Sequence, residues 1–559
     1  ELSYELTLAE NENSMRRVEY NPIAAAGKIL FNTIDRVDIG NGTFLPRLAM
    51  GADPNLLQTI EQESNNPFLT IKVNGVPVFC KGGNWGMDDA MKRVSREKLE
   101  PYFRLHKEEN FNMIRNWTGE STEQVFYELA DEYGLLVWND FWLTTEEYNL
   151  GINDYNLFMK NATEVVKRFR NHPSIAIWCP RNEGYAPKEL EHKLQKLIAD
   201  EDGTRFYSPN SRKINLRQSG PWDYRKNTAD YFHTLADGFN TELGTPSIPT
   251  AETMRSFIPE ADRWPISDTW YYHDFHSGLK AFTEDLEQRY GNATSLDDFT
   301  RKAQFLNYES HRAMFESWNS KLWENASGLL LWMSHPAWPS MVWQTYSWDY
   351  ETFGSYFGSK KACEPLHIQL NPLNNQVDII NTTRHNQTKL MAKAEIFNLN
   401  GKSLAVQKAV QNAVANKKTE SFKVEIPTKL PKVYLIRLTL LRNNKVISQN
   451  DYWRSDNNES FSEFNHLKSP ELTIKFLEKT GNNASFQIIN NDKVPALAVK
   501  MNLIDASSGQ RILPAYFSDG YFNLLPGEKR TLSVEWPIKN QLIKLRVQDY
   551  HGSVEFDFH

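Results

Sequence analysis

Cysteine is scarce in this sequence: three residues among 559, at positions 80, 179 and 363. That is too few for a disulfide framework, and no metal-ligand spacing accompanies them. Cys80 and Cys179 each close an apolar, strand-like run, so buried free thiols are expected. Long hydrophobic runs are missing too, and none reaches the length of a membrane-spanning helix. Charge of one sign is nowhere concentrated. The net charge is −7 with acidic and basic residues interleaved, so neither nucleic acid nor an anionic membrane surface is an expected partner. A Gly-x-Ser-x-Gly elbow is also lacking, which leaves esterase or deacylase chemistry without a motif. What is plentiful is aromatic surface: 16 Trp and 23 Tyr. Most Trp packs into cores, but Trp near loop ends suits stacking on the flat apolar face of a sugar ring.

A chain of this length is expected to form three or four domains. Residues 1–65 read as strands and loops, the end of an immunoglobulin-like β-sandwich. "ELSYELTL" alternates apolar and polar from the first residue, which predicts further sequence upstream and leaves targeting unread. A periplasmic or secreted location is favoured over a cytoplasmic one.

From 66 to 365 strand and helix patterns alternate, as a parallel sheet covered by helices requires. "FLTIKVNGVPVFCKGGNW" is a hairpin turning at Asn74–Gly75 and leading into a buried strand. "FNMIRNW", "LLVWNDFW" and "SIAIWCPRNE" are apolar strands with polar tips. Between them lie helices that Ser95 and Ser121 are placed to cap, one ending at Gly134 and another before Pro173. The weaker segments "RFYSPN", "ADYFHT", "GFNTELG" and "GLLLWMSH" supply enough further strands for an eightfold barrel. A long helix over 298–325 precedes the last. Beyond 365 the helical signal stops. Two immunoglobulin-like β-sandwiches are expected at 366–456 and 468–559, separated by a polar linker. The fold class is therefore multidomain: a central irregular (β/α)8 TIM barrel flanked by immunoglobulin-like β-sandwich domains.

In such a barrel the chemistry lies at the carboxyl ends of the strands. "IAIWCPRNEG" (175–184) is barrel wall that ends in Asn182 and Glu183. Read alone, that tip is equally a polar helix cap. "DGFNTELG" places a second carboxylate, Glu242, on another strand end, 59 residues later. Hydrolysis of a glycosidic bond with retention needs two carboxyls about 5–5.5 Å apart, one protonated and one ionised.

The chain resembles glycoside hydrolase family 2, in the branch of β-mannosidases, plant endo-β-mannosidases and exo-β-glucosaminidases. The resemblance rests on "KGGNW", "NMIRNWTG", "YGLLVWNDFW", "RNHPSIAIWCPRNEG", "SGPWDY", "GFNTELGTPSIPT", "DDFTRKAQFLNYESHRAMFESW" and "GLLLWMSHPAWPSMVWQTYSWD". It covers 66–365 strongly and the flanking sandwiches loosely. It implies Glu183 as acid/base and Glu242 as nucleophile. Asn182 would hold the sugar 2-hydroxyl and Trp332 would form a wall under the ring. Trp117 and Asp140 are further nominated as substrate-binding, although Trp117 also reads as core and Asp140 as a cap.

The resemblance implies a retaining exo-β-glycosidase acting on an oligosaccharide or glycan. β-Mannoside is expected first, because the Asn–Glu pair is the mannosidase arrangement and glucosaminidases commonly carry Asp at the acid/base position. An exo-β-glucosaminidase, a β-galactosidase and a catalytically inactive carbohydrate-binding relative are the alternatives. The family's N-terminal jelly-roll domain is expected upstream. Of Trp338, Trp343 and Trp348, at least one is expected to shape the cleft. His273 and His276 lie in the long aromatic insertion 261–295 without a third ligand at a suitable spacing, so no metal and no cofactor is expected.

Overall fold

Seven short strands lie parallel in one sheet of the computed structural model. They are β1 (Cys80–Trp85), β2 (Met113–Asn116), β3 (Leu136–Asp140), β4 (Ile175–Cys179), β5 (Phe206–Tyr207), β6 (Gly238–Leu243) and β7 (Ala326–His335). Their spatial order is β6-β7-β1-β2-β3-β4-β5. Every residue of β1 to β6 is buried, the polar ones included. Continuous burial is what a sheet covered on both faces imposes, and it explains why β3 and β4 open on apolar runs that do not alternate. Gly82 in β1 is fixed by contact: a Cβ there would lie 1.8 Å from the Met113 carbonyl oxygen. Only glycine lets the two strands approach so closely.

The structure describes residues 34–38, 44–46 and 69–558, apart from 75, 87–90, 149–150, 214–215, 276–278, 456–459 and 538–541. The alternating pattern at 1–8 and most of the expected sandwich at 1–65 lie outside the described residues, as does His276. Strands Ile34–Asp38, Phe44–Pro46, Thr70–Val73 and Val76–Val78 form a four-stranded antiparallel sheet.

Helices follow the first four strands: α1 (Arg96–Glu108), α2 (Gln124–Tyr133), α3 (Tyr155–Phe169) and α4 (Lys188–Glu201). Ser95 caps α1 by accepting from the Lys98 N–H, and Asp154 caps α3 by accepting from the Leu157 N–H at 2.9 Å. The expected cap at Ser121 does not form, because α2 starts later, at Gln124. Asn116, at the end of β2, accepts from the Ser121 N–H (3.1 Å) and donates to its carbonyl (2.8 Å), which holds residue 121 in the loop. Gly134 ends α2 in the left-handed region.

One expected strand is corrected. Residues 229–234 are not extended; Tyr231–Leu235 form a wide helical turn. The place beside β6 is taken by residues 216–222. There the Arg217 N–H donates to Phe239 O (2.9 Å), Gly220 N–H to Glu242 O (2.5 Å) and Gly244 N–H to Pro221 O (3.0 Å).

The chain divides into two compact units: 1–222 with 236–244 and 321–338, and 223–235 with 245–320 and 339–559. The first holds the parallel sheet and α1 to α4. The second holds the 24-residue helix Leu296–Asn319 and two blocks of paired antiparallel sheets. In one block three strands (366–371, 376–381, 417–423) face four (387–398, 403–413, 433–442, 445–455). Ile368, Ile379, Ala392, Ile436 and Leu438 fill the space between them. The other block consists of two four-stranded antiparallel sheets built from strands between 472 and 558. Cys80, Cys179 and Cys363 are buried free thiols, and burial pushes Cys80 up to about 12.

Candidate active site

An arginine inside an apolar strand is an anomaly that demands partners, since a buried charge is tolerated only when paired and hydrogen-bonded. Arg115 of β2 is fully buried and finds them in every direction. Its Nη2 donates to Asp140 Oδ2 (2.7 Å) and Asn182 Oδ1 (2.7 Å). Its Nη1 donates to Glu242 Oε1 (2.5 Å) and Asn84 Oδ1 (3.2 Å). Five strands or strand ends thus meet at one guanidinium: Asn84 from β1, Arg115 from β2, Asp140 from β3, Asn182 past β4 and Glu242 from β6. Asn84 is itself fixed, donating to Thr241 O (2.7 Å) and Leu331 O (2.9 Å).

Asp140 is bound into the same network. Besides Arg115 it accepts from the Thr118 N–H (3.0 Å) and the Trp138 indole N–H (2.9 Å). The geometry makes it a holder of Arg115. Trp117 and Trp332 do come together, as an edge-to-face pair with ring centroids 5.0 Å apart and both rings partly buried.

Glu183 occupies a different setting. The loops after β3 and β4 are laced together: Asn182 N–H donates to Leu143 O (2.9 Å), Arg181 Nε to Thr144 O (2.8 Å) and Asn182 Nδ2 to Thr145 Oγ1 (2.9 Å). This lacing presents Glu183, whose own N–H donates to Ser211 Oγ at 2.8 Å. Among the described residues its carboxyl is hydrogen-bonded by hydroxyls, those of Ser219 and, at 3.5 Å, Thr145. A hydrogen-bonded chain therefore runs Glu242–Arg115–Asn182–Thr145–Glu183.

Burial and charge act against each other at Glu242. Burial pushes the Glu242 carboxyl up to about 7. Arg115 opposes that rise, while negative charge at Glu183 and Asp140 adds to it. The guanidinium favours the charged form at Glu242, whereas a hydroxyl can either donate to a carboxylate or accept from an acid. The arrangement can thus present one carboxylate and one proton donor to the same ligand.

Comparison with known proteins agrees with this architecture. Residues 69–215 match the model described as "Glycosyl hydrolases family 2, TIM barrel domain", and residues 450–550 match the "Exo-beta-D-glucosaminidase Ig-fold domain". A mannosylglycoprotein endo-β-mannosidase of Lilium longiflorum is 30% identical over 447 residues, 68% of this chain and 47% of that protein. The chain belongs to glycoside hydrolase family 2. Within that family an exo-β-D-glucosaminidase of Streptomyces avermitilis is 27% identical over 544 residues, 86% of this chain and 58% of its own length. The crystal structure of an exo-chitosanase from Amycolatopsis orientalis superposes with a TM-score of 0.81 at 23% identity, over 89% of this chain and 66% of that one. A β-D-mannosidase from Dictyoglomus thermophilum gives 0.72 at 24%, over 87% and 62%. These two likenesses carry the fold alone; the family models describe it as a family 2 TIM barrel with an Ig-fold domain. The chain spans about half the length of the curated relatives it matches.

Asn84, Arg115 and Ser219 lie in "KGGNW", "NMIRNWTG" and "SGPWDY" but are not among the site residues expected from the sequence. The arginine had a signal: a full charge in the middle of an apolar strand. Ser211, Ser219 and Thr145 had none, because hydroxyls in loops are ordinary.

Proposed function

We propose that this chain carries the active site of a retaining exo-β-glycosidase, with Glu183 as acid/base and Glu242 as nucleophile. The observation that supports the reading is the unlike hydrogen bonding of the two buried carboxyls, a guanidinium at Glu242 and hydroxyls at Glu183. In the first step Glu183 gives its proton to the glycosidic oxygen as that C–O bond breaks. Glu242 forms a bond to the anomeric carbon. In the second step Glu183 takes a proton from water, whose oxygen displaces Glu242. The Nδ2 of Asn182, spending one hydrogen on Thr145, has a second for the sugar 2-hydroxyl. Trp117 and Trp332 offer an apolar wall for the ring.

β-Mannoside is the first substrate to try, from the Asn182–Glu183 pair and the mannosidase relatives. The exo-glucosaminidase relatives and the match at 450–550 favour a β-glucosaminide as the second reading. Values of kcat/KM for the full-length protein on aryl β-mannoside, β-glucosaminide and β-galactoside decide between them. A 2-deoxy-2-fluoro glycoside of the preferred sugar should label Glu242, because the fluorine slows the second step. A label mapped to another residue, or an inverted first product, refutes the mechanism.

A further inference from the structure

The backbone of Glu183 is held where few side-chain-bearing residues sit, at φ 43°. Three bonds over-determine it: its N–H to Ser211 Oγ, its carbonyl accepting from the Glu146 N–H (3.5 Å), and the neighbouring Asn182 N–H to Leu143 O. None of these reaches the carboxyl. Of the two hydroxyls that do, Thr145 is at the limit of hydrogen-bond distance, and Ser219 is the close partner, on Oε1. Ser219 is itself buried, and its position is set by β6. The next residue, Gly220, donates its N–H to Glu242 O at 2.5 Å, and the Gly220 carbonyl accepts from Asn240 Nδ2 and Arg217 Nη1, each at 3.0 Å. The strand that carries Glu242 therefore also fixes the group that holds Glu183.

We infer that Ser219 is a positioning residue for the Glu183 carboxyl, locking its distance from Glu242 and stabilising the carboxylate left when its proton departs. The inference rests on the reading of Glu183 as acid/base. In the step concerned the Glu183 O–H bond breaks and its proton joins the glycosidic oxygen. The aglycone leaves with the electron pair of the broken C–O bond. Glu242 supplies the pair for the new bond to carbon, and the negative charge passes to Glu183. A rotating hydroxyl donates to that carboxylate and accepts from the acid that is restored later. Ser219 therefore counts most for a leaving group that needs a full proton.

The test compares two glycosides of the sugar the full-length wild type prefers, one with a dinitrophenyl and one with a methyl aglycone. Ser219→Ala should lose about tenfold or more in kcat/KM on the methyl glycoside and about threefold or less on the other, since only the first needs general acid catalysis. The alkaline limb of its pH profile should move up, because the carboxylate has lost a donor. Ser219→Thr, which keeps the hydroxyl, should recover most of the loss. Equal losses on both substrates with an unmoved limb overturn the inference. If Ser219→Ala does not fold, Ser219→Cys carries the same comparison, its thiol being a weak donor. Glu183→Gln in the same assay separates the two claims. If it discriminates between the substrates and the Ser219 variants do not, the inference alone fails. If it loses both activities equally, the acid/base reading fails and takes the inference with it.

Discussion

Arg115 shows how far one side chain can organise a site and how little of that is visible in a string of letters. It is bonded to Asp140 and Glu242, both buried, so removing it takes from both carboxyls the guanidinium they face. Breaking a buried pair in this way costs about 3–5 kcal/mol. Arg115→Ala is expected to lose about that much in denaturant unfolding, and Arg115→Lys, which keeps the charge but not the fork, about half. An Arg115→Ala protein as stable as wild type would mean that the network holds nothing together.

Glu242 makes a second test with a definite sign. Its folded-state value of about 7 lies above its ordinary 4.5. Between those values the folded protein keeps a proton that the unfolded chain has released. Stability therefore falls as pH rises through that window, by about 3 kcal/mol in all. Glu242→Gln, which cannot ionise, should show a flatter stability curve from pH 4.5 to 7. Parallel curves for wild type and variant would show a normally titrating carboxyl.

At the scale of elements, the alternating pattern exposed the strands that carry long apolar runs and hid those that do not. β3 and β4 are legible because buried positions there form apolar runs with polar tips, and β1 because a hairpin leads into it. β5 has two residues and the segment at 216–222 makes isolated bridges, so nothing periodic marks them. "ADYFHT" looked like a strand because Tyr231 and Phe232 are buried, but burial alone does not choose extension. Capping shows the same limit. Asp154 and Ser121 both precede helices in the sequence, yet only Asp154 accepts a helix N–H. Asp154→Ala is expected to cost about 1 kcal/mol. Ser121→Ala should cost clearly less, since Asn116 binds its backbone and not its hydroxyl. Equal losses in thermal unfolding would put a cap at Ser121 after all.

At the scale of the molecule, the second unit joins helix, loop and sandwich through side chains that no periodicity announces. The strand pattern after residue 365 reveals two β blocks but not what attaches the last one. Arg511, in that block, donates from Nη1 to Glu351 (2.9 Å) and from Nη2 to Asp349 (2.9 Å). Asn502 adds a bond to Glu351 at 2.8 Å, and Lys500 pairs with Glu252 at 3.2 Å. Glu351 is 2% exposed, and burial raises its carboxyl against the pull of Arg511 and Lys500. Arg511→Ala should therefore destabilise by about 3–5 kcal/mol at neutral pH, the cost of stranding a buried carboxylate. The loss should shrink as pH falls, because a protonated Glu351 no longer buries a charge. Adding Glu351→Gln removes the stranded charge, so the double variant should be more stable than Arg511→Ala alone. That non-additivity is the signature of direct coupling in a double-mutant cycle. Strictly additive losses, unchanged by pH, would mean that the ion pair does not attach the C-terminal sandwich and that its apolar contacts do. Leu497 and Tyr550, which join the core around Phe299 and Phe464, would then be the residues to truncate.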